Sequence, residues 1–376
     1  MILEKCKYYN DHQTACSLMI DDLVPAAVSA NGIIGPHNDW GYLMDGEGSL
    51  YKYFESMLLA KYPEIKGTIF FPLESAKYIS KNNGFEIFTS NIDEKYLEFI
   101  NRISYRFEFA FHGVKHVWKN IHDETTFEFR DIDNDSKAKI TQTLKAFQKE
   151  TGIQFSGGKF PGYWYNQIAL DFIKELNFKW WALDFDMLNK SSIKNALLWN
   201  DELQIVVMPS NVTGDIYKNY YWRNSARRII GRLLKPFKLS HPIDFLKYLY
   251  DNGLPIIIQE HFQNQTPNGT RQSINVYDDI WSLDNIYGLL RGLDIWHAKC
   301  GEIAEYFSAF HHSEIIEIDS DQFRLIYKNK YNPTLISIKS KSRKIINRDD
   351  GNEFFGIAKK DHWVFNKIPA GTYKLR

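Results

Sequence analysis

The chain has 376 residues and a mass of 44.2 kDa, which fits one large domain with a smaller one beside it. Its 46 Lys and Arg balance 46 Asp and Glu, so the charge argues against a general nucleic-acid-binding protein. No run approaches the roughly 18 apolar residues of a membrane-spanning helix, and the first residues lack the apolar stretch of a signal peptide, as those of a processed chain also would. Cys6, Cys16 and Cys300 have no metal-type spacing. We therefore expect reduced thiols in a cytoplasmic protein.

Segments with the pattern of strands alternate with segments that have helical periodicity. Seven short runs, rich in Ile, Val, Phe and Trp, predict strands at 14–20, 67–72, 105–111, 153–159, 179–184, 203–208 and 255–260. Helices are predicted at 48–62, 135–151, 166–176 and 241–252. This alternation implies parallel strands joined by helical crossovers. Seven such units favour an α/β barrel, closed or incomplete, over an open sheet.

The pattern changes after about Phe310. Strand-like runs at 314–318, 323–327, 334–339, 363–365 and 372–375 are separated by turn signals rather than helices. We therefore expect a barrel over 1–309 and a small antiparallel β domain over 310–376. This domain could bind saccharide, mediate oligomerisation or cover one end of the barrel.

Polar residues follow the predicted strands at their C-terminal ends, where the catalytic side chains of α/β barrels collect. Asp21 and Asp22 follow the first strand, and because side chains alternate along an extended chain, one can bind a metal while the other faces a substrate. His112 and His116 follow the third strand at a spacing that brings both rings to one cation if the segment is helical. Taken alone, the Asp pair is more typical of a polar turn, and the His pair could equally be solvated histidines on a loop.

Three further strand ends carry candidate residues. A loop bordered by glycines at 157–162 precedes an aromatic run of Tyr163, Trp164 and Tyr165; the fifth strand carries Trp181 with Asp184 and Asp186; and His261 follows the seventh strand. One Asp and two His form a ligand set suited to zinc, with positions open for water and substrate. The remaining Asp and His would supply a base and an acid.

This order of motifs resembles the polysaccharide deacetylases, the carbohydrate esterase family four superfamily of metal-dependent sugar N- and O-deacetylases. The family motifs T-F-D-D-G, His-x-x-x-His, Arg-x-Pro with Gly, Trp with Asp, and aliphatic-x-x-His correspond here to 19–23, 112–116, 159–162, Trp181 with Asp184, and 258–261. The matches extend over about two-thirds of the chain. The Asp pair and the His pair are the specific parts of the resemblance.

The resemblance implies a distorted (β/α)7 barrel and a role for each motif. Asp21 would be the general base and His261 the general acid. Asp22, His112 and His116 would bind one divalent metal, Zn²⁺ in the first place, with Co²⁺, Ni²⁺ or Mn²⁺ as alternatives.

The chain departs from the family at two motif positions. Leu23 replaces the Gly of the first motif, and Lys159 replaces the Arg that orients the base, so the charge is kept without the planar fork. The residues expected to bind substrate are Lys159, Pro161, Gly162, Tyr163, Trp164, Trp181 and Asp184, with Asp39 from the polar loop 36–41, which could line the cleft or lie on the surface.

The function implied is the hydrolytic removal of an acetyl group from a sugar, an N-acetyl group before an O-acetyl group. The bond cleaved would be a carbon–nitrogen bond that is not a peptide bond. The substrate would be an N-acetylated saccharide, a sugar nucleotide or a lipid-linked sugar. A glycoside hydrolase is one alternative, with two of Asp184, Asp186 and Glu260 placed roughly 5 to 9.5 Å apart. A non-catalytic carbohydrate-binding relative is the other, although its metal residues would usually be lost and are complete here.

The segment 218–238 contains seven Lys and Arg and no acid, with an apolar side. Such a basic amphipathic helix can lie on an anionic membrane or hold an anionic substrate. We expect this segment to contact phosphate, either of lipid headgroups or of a sugar diphosphate. In the first case the protein would associate peripherally with a membrane. A surface helix that packs its apolar side on the barrel is the alternative.

Overall fold

The computed structural model describes residues 3–29, 33–74, 86–115, 117–119, 125–183, 195–218, 220, 242–263, 272, 274–328 and 335–376. His116, Asp184, Asp186 and all of the segment 218–238 except Lys218 and Tyr220 lie outside the described residues. The predictions made for them stay predictions. None of the helices in the described ranges is long and apolar enough to cross a membrane.

Strands and short helices alternate through most of the chain. The strands are β1 Leu3–Lys5, β2 Thr14–Asp21, β3 Ala26–Ser29, β4 Gly67–Phe71, β5 Glu86–Thr89, β6 Phe107–Phe111, β7 Val117–Lys119, β8 Thr125–Phe127, β9 Gly157–Lys159, β10 Trp180–Ala182, β11 Leu198–Asn200, β12 Ile205–Val207, β13 Val212–Thr213, β14 Ile256–His261, β15 Ile295–His297, β16 Ser313–Glu317, β17 Gln322–Tyr327, β18 Ile338–Ser340, β19 Lys344–Asn347, β20 Glu353–Phe355, β21 Ile357–Ala358, β22 Trp363–Phe365 and β23 Gly371–Leu375. The helices are α1 Leu50–Phe54, which continues as a π-helical turn over Glu55–Leu59, α2 Glu94–Ile103, α3 Asn134–Thr151, α4 Gln167–Glu175, α5 Pro242–Asp251, α6 Val276–Leu290 and α7 Cys300–His311.

The chain forms two compact units. The larger contains residues 16–293 and 297–301, and the smaller contains residues 1–15, 294–296 and 302–376. The boundary predicted after residue 309 thus falls within α7, and the first residues belong to the unit that holds the C-terminal strands.

A mixed sheet in the larger unit contains all seven strands that the sequence predicts. Nine of its ten described strands lie in the order β11-β12-β10-β9-β6-β4-β2-β14-β13, and β15 pairs with β2 outside this order. The pairs from β12 to β14 are parallel, whereas β11 runs antiparallel at the edge. The parallel α/β class is therefore confirmed.

The order of the seven strands is that of a barrel opened between its sixth and seventh members. The last strand, β14, pairs with the first, β2, and the others follow in sequence as far as β12. In the described part of the chain no pairing joins the β12 end of the sheet to β13. Closure into a (β/α)7 barrel therefore stays a prediction.

Capping residues mark the start and the end of α3. Asp133 accepts a hydrogen bond from the backbone N–H of Ser136 at the start of α3, and Gly152 ends that helix at φ 73°. The apolar face that the sequence predicts for α3, formed by Ile140, Leu144 and Phe147, is buried. The sequence did not predict α2, α6 or α7, and α7 extends across the predicted change of pattern at Phe310.

The smaller unit has two antiparallel sheets, in the orders β16-β17-β23-β19-β20 and β1-β18-β22-β21. Its core includes Phe323, Ile338, Ile345, Phe365 and Tyr373, all completely or almost completely buried. The strands after residue 310 are antiparallel in both sheets, and β1, β19, β20 and β21 were not predicted.

The three cysteines are free and buried, as expected for structural thiols.

Candidate active site

Asp21 is the last residue of β2, and Asp22 turns the chain out of the sheet. Both side chains are almost completely buried. Asp22 has φ 64°, a left-handed conformation that only Gly, Asn and Asp adopt readily. The turn is held by hydrogen bonds from Asp22 N to the carbonyl of Phe70 (3.1 Å) and from Phe262 N to the carbonyl of Asp21 (2.8 Å). Two carboxylates are thereby fixed at the C-terminal edge of the sheet.

Lys159, the last residue of β9, holds Asp21 from the side. Its ammonium is buried, donates to Asp21 Oδ1, and lies 4.4 Å from the centre of the Phe70 ring. It also donates to Gln259 Oε1 at 2.8 Å. Lys159 thus makes the contact with Asp21 that the resemblance assigns to an Arg. Gln259 supplies a second acceptor for the Lys159 ammonium.

The two neighbouring carboxylates have very different proton affinities. Burial by itself would raise the pKa of Asp21, but Lys159, His112 and His261 outweigh it and hold the pKa at about 2. Burial raises the pKa of Asp22 to about 7, opposed by His261 and reinforced by the charge of Asp21. Paired acids with separated pKa values commonly have separate chemical roles. Asp21 is the ionised member of the pair, whereas Asp22 gains most from a neighbouring cation.

His112 follows β6 and is fixed by its Nδ1 atom. Nδ1 lies 2.9 Å from the carbonyl oxygen of Lys159, and because a carbonyl only accepts, Nδ1 carries the proton in the neutral ring. Nε2 is then the nitrogen with the lone pair. It lies 3.7 Å from Asp21 Oδ2 and 3.8 Å from Asp22 Oδ1.

The positions of Asp22 and His112 fit a shared metal ion. A cation bonded to both atoms at 2.0–2.1 Å would hold them roughly 3.3–3.4 Å apart at a tetrahedral angle and at most about 4.0–4.2 Å apart, and their separation is 3.8 Å. Carboxylate oxygen and imidazole nitrogen are also donors that zinc accepts. The third expected ligand, His116, lies outside the described residues, within which no three His, Cys, Asp or Glu side chains form a metal-binding group.

His261 is the last residue of β14 and lies in register with Asp21 of β2. Its Nδ1 is 3.0 Å from the carbonyl oxygen of Ile274, so the same argument places the proton of the neutral ring on Nδ1. Nε2 is 3.5 Å from Asp21 Oδ2, and the side chain is 17% exposed. His261 can therefore carry a proton at the partly open side of the site.

The structure places the other expected substrate residues in different surroundings. Gly162 and Tyr163 both have φ near 60°. The hydroxyl of Tyr163 donates to Gln259 Oε1 at 3.2 Å. Trp164 is 53% exposed, whereas Pro161 is buried. Of these residues, Tyr163 and Trp164 have ring surface that a substrate could reach.

Trp181 and Asp39, both expected at the substrate, are instead completely buried. Trp181 packs against the rings of Phe160 and Phe178 at 4.8 and 4.9 Å. The carboxylate of Asp39 accepts hydrogen bonds from the backbone of Gly41, Leu43 and Leu50. The structure thus gives Trp181 a place in the core and Asp39 the role of a loop anchor.

Gln259 and Glu128 contact the site but were missed from the sequence. Gln259 precedes His261 by two residues, so strand alternation could have placed both on one face. Glu128 accepts a hydrogen bond from the backbone N–H of Val114 at 2.8 Å and thereby holds the loop after His112. No local sequence pattern predicts this contact. Glu260 belongs to the opposite face of β14 and is completely buried, which removes it from the carboxylate pair of a glycoside hydrolase.

Comparison with known proteins gives structural likenesses only. No family model and no curated protein matches the chain. Among solved structures, it is similar to a protein assigned as a polysaccharide deacetylase from Mycobacterium smegmatis (15% identity, 81% of this chain and 94% of that chain, TM-score 0.44). It is also similar to a 4-α-glucanotransferase from Thermococcus litoralis (13%, 77% and 39%, TM-score 0.40) and to a CE4 family pseudoenzyme from Bacillus anthracis (11%, 77% and 65%, TM-score 0.34).

The solved structures similar to this chain thus include polysaccharide deacetylases, the family that its motifs resemble. They also include an enzyme of another activity and a pseudoenzyme. At identities of 11–15% and TM-scores of 0.34–0.44, these likenesses decide neither the chemistry nor the substrate of this chain, which depend on its own side chains.

Proposed function

We propose that the protein is a metal-dependent deacetylase that hydrolyses the N-acetyl group of a saccharide, a sugar nucleotide or a lipid-linked sugar. The observation that supports this most is the placing of Asp21, an ionised buried carboxylate, between Lys159 and the Nε2 atoms of two histidines. Hydrolysis of an amide needs a base for water, an acid for the leaving nitrogen and a group that polarises the carbonyl. Asp21 and His261 suit the first two roles.

The residues of the chain would divide the proton transfers between them. Asp21 accepts the proton of the attacking water, and Lys159 keeps its carboxylate ionised and oriented. His261, as an imidazolium fixed through Nδ1, protonates the leaving amine from Nε2 and becomes the neutral ring that keeps its proton on Nδ1. A divalent cation held by Asp22, His112 and His116, Zn²⁺ before Co²⁺, Ni²⁺ or Mn²⁺, would supply Lewis acidity toward the acetyl carbonyl and the water.

Sugar recognition would use the partly exposed rings of Tyr163 and Trp164, since aromatic faces suit the apolar faces of sugars. The segment 218–238 would contribute contact with phosphate, and the protein would act in the cytoplasm. Lys218, the first cation of that segment, forms an ion pair with Asp279 at 2.8 Å. The positive charge of Lys218 is therefore neutralised by a carboxylate of the larger unit.

The test is acetate release from N-acetylated sugars, sugar nucleotides and lipid-linked saccharides, after reconstitution of metal-free protein with each of the four metals. Asp21→Asn and His261→Ala should each lower kcat/KM roughly 10²–10⁴-fold. Asp21→Asn should retain the metal, whereas Asp22→Asn and His112→Ala should lose it in elemental analysis. Asp171→Asn, on an exposed position of α4, is the matched control and should change neither quantity.

The outcomes separate the three classes of function. Full acetate release by Asp21→Asn, or loss of metal from it, would contradict the role of base. Release of reducing ends without acetate would indicate a glycoside hydrolase. Saccharide binding by the metal-loaded protein without any turnover would indicate a non-catalytic relative.

A further inference from the structure

Gln259 lies in the interior of the candidate site without taking part in any of the proton transfers described above. It belongs to β14 and is 3% exposed. Its position two residues before His261 places both side chains on the same face of the strand. Its neighbour in the sheet is Met19 of β2, two residues before Asp21. Gln259 therefore lies beneath the residues assigned as acid and base.

The side-chain amide of Gln259 takes part in four hydrogen bonds. Oε1 accepts from Lys159 Nζ at 2.8 Å, from the Tyr163 hydroxyl at 3.2 Å and from Ser210 Oγ at 3.4 Å. Nε2 donates to the carbonyl oxygen of Glu260 at 2.9 Å. Because an ammonium only donates and a carbonyl only accepts, these partners determine that the amide oxygen faces Lys159.

A lysine at this position needs such a second acceptor more than an arginine would. Guanidinium has a rigid fork that matches a carboxylate at two points, whereas ammonium is a point charge on a flexible four-carbon stem. Contact with Asp21 alone leaves the remaining N–H groups of Lys159 without a fixed direction. The oxygen of Gln259 supplies that direction from β14 at 2.8 Å.

The neutrality of Gln259 also matters. Asp21 and Asp22 already bring two carboxyl groups into a buried space. A carboxylate in place of the amide would add a third acid and compete with Asp21 for the ammonium of Lys159. An amide offers the same oxygen without that charge.

We propose that Gln259 is a positioning residue, which through its amide oxygen fixes the Lys159 ammonium on Asp21 and the Tyr163 ring beside the site. The inference rests on the proposed function. It assigns to Lys159 and Gln259 together the orienting task that one arginine has in the family resembled. Gln259 acts on the rate through Lys159 and on substrate binding through Tyr163.

The test is a double-mutant cycle with Gln259→Met and Lys159→Met, measured by acetate release at saturating metal. Gln259→Met keeps the length of the side chain and removes its polar groups, and should lower kcat roughly 10-fold or more through Lys159. With Lys159→Met already present, the same change should lower kcat less than about 3-fold. Tyr163→Phe should instead act mainly on KM. Gln167→Met, on an exposed position of α4, is the matched control.

Two further variants separate positioning from folding. Gln259→Asn keeps the amide but is one methylene shorter, so it should reproduce the loss of kcat even if the Met variant folds poorly. Gln259→Glu keeps an acceptor at the original reach but adds a charge that competes with Asp21 for Lys159, so it should also lower kcat, while metal content stays at the wild-type level. Multiplicative losses in the cycle, or an unchanged kcat in both Gln259→Met and Gln259→Asn, would overturn the proposal.

Failure of the proposed function has a different signature. If the wild-type protein releases no acetate from any probe, the deacetylase assignment fails, and the crystal structure of Gln259→Met then decides about Gln259. Displacement of the Lys159 ammonium from Asp21 would support the positioning role. An ammonium that remains within hydrogen-bond distance of Asp21 would overturn it.

Discussion

Asp22 illustrates how one residue serves both the fold and the site. Its carboxyl group is 3.8 Å from Nε2 of His112, while its backbone has a positive φ of 64°. Most residues pay about 1–2 kcal/mol for this conformation, which Asn and Asp adopt more readily because their short side chains can bond locally. Asp is therefore suited to this turn apart from any ligand role.

Replacement of Asp22 should separate the backbone from the charge. Asp22→Asn and Asp22→Ala both remove the carboxylate, but only Ala is strained by the positive φ. We expect Asp22→Ala to be the less stable of the two by roughly 1 kcal/mol in urea unfolding of the metal-free protein. The exposed position Asp171 in α4 is the control, since Ala should be the more stable residue there. The same order at both positions would contradict this explanation.

At the scale of elements, the loop that follows β6 is shaped by close contact with Glu128. Gly113 has φ 81°, and a Cβ atom there would lie 2.3 Å from Glu128 Oε2 and 3.2 Å from Cγ of Pro161. The same carboxylate accepts the backbone N–H groups of Val114 and Lys115. His112, which directly precedes Gly113, thus owes its position to a contact between two segments of the larger unit.

Gly113→Ala should therefore be costly, because it combines backbone strain with a clash. We expect a loss of about 3 kcal/mol in the free energy of unfolding and a reduced affinity for metal through displacement of His112. Gly152→Ala is the matched control: its φ is 73°, but no atom lies within 4 Å of the new Cβ, so only about 1 kcal/mol of strain is expected. Equal losses in urea unfolding would show that the contact with Glu128 is unimportant.

At the scale of the whole molecule, a buried acidic group outside the candidate site affects the dependence of stability on pH. Glu260 is completely buried and lies against Gly214. Burial raises its pKa well above the usual range, and the charges of Asp279 and Asp215 add to the effect. Burial also raises the pKa of Asp279 to about 6, although Lys218 opposes the shift.

The sign of the effect follows from these directions. An acid whose pKa is higher in the folded than in the unfolded state stabilises the fold below its unfolded pKa, and this stability is lost as pH rises toward the folded value. The stability of the protein should therefore fall as pH rises above about 4.5 through the range in which Glu260 would ionise.

Glu260→Gln should remove most of this loss. Gln resembles the protonated acid in shape and polarity, so the variant should match the wild type near pH 4 and be more stable at pH 8 by roughly 1–3 kcal/mol. Urea unfolding across the pH range measures the difference, with Glu150→Gln, an exposed position at the end of α3, as the control. A constant difference at all pH values would show that the titration of Glu260 does not contribute.

The sequence by itself determined those features that depend on neighbours along the chain. Strand alternation located all seven parallel strands, helical periodicity located the buried face of α3, and Gly152 marked its end. Since the ends of parallel strands meet at one edge of a sheet, the order of polar residues also predicted that Asp21, His112, Lys159 and His261 lie close together. These signals are local, because period and capping are properties of contiguous residues.

The tertiary structure alone decided the features that depend on which distant segments pack together. Trp181 and Asp39 are residue types that often bind sugars, but both are buried here. Aromatic rings surround Trp181, and backbone N–H groups surround the carboxylate of Asp39. Gln259 reads as an ordinary polar residue of a strand until β9 brings Lys159 against it. The reason is physical: desolvation and hydrogen-bond partners are set by long-range packing, and the same side chain becomes core, anchor or active-site residue according to what lies against it.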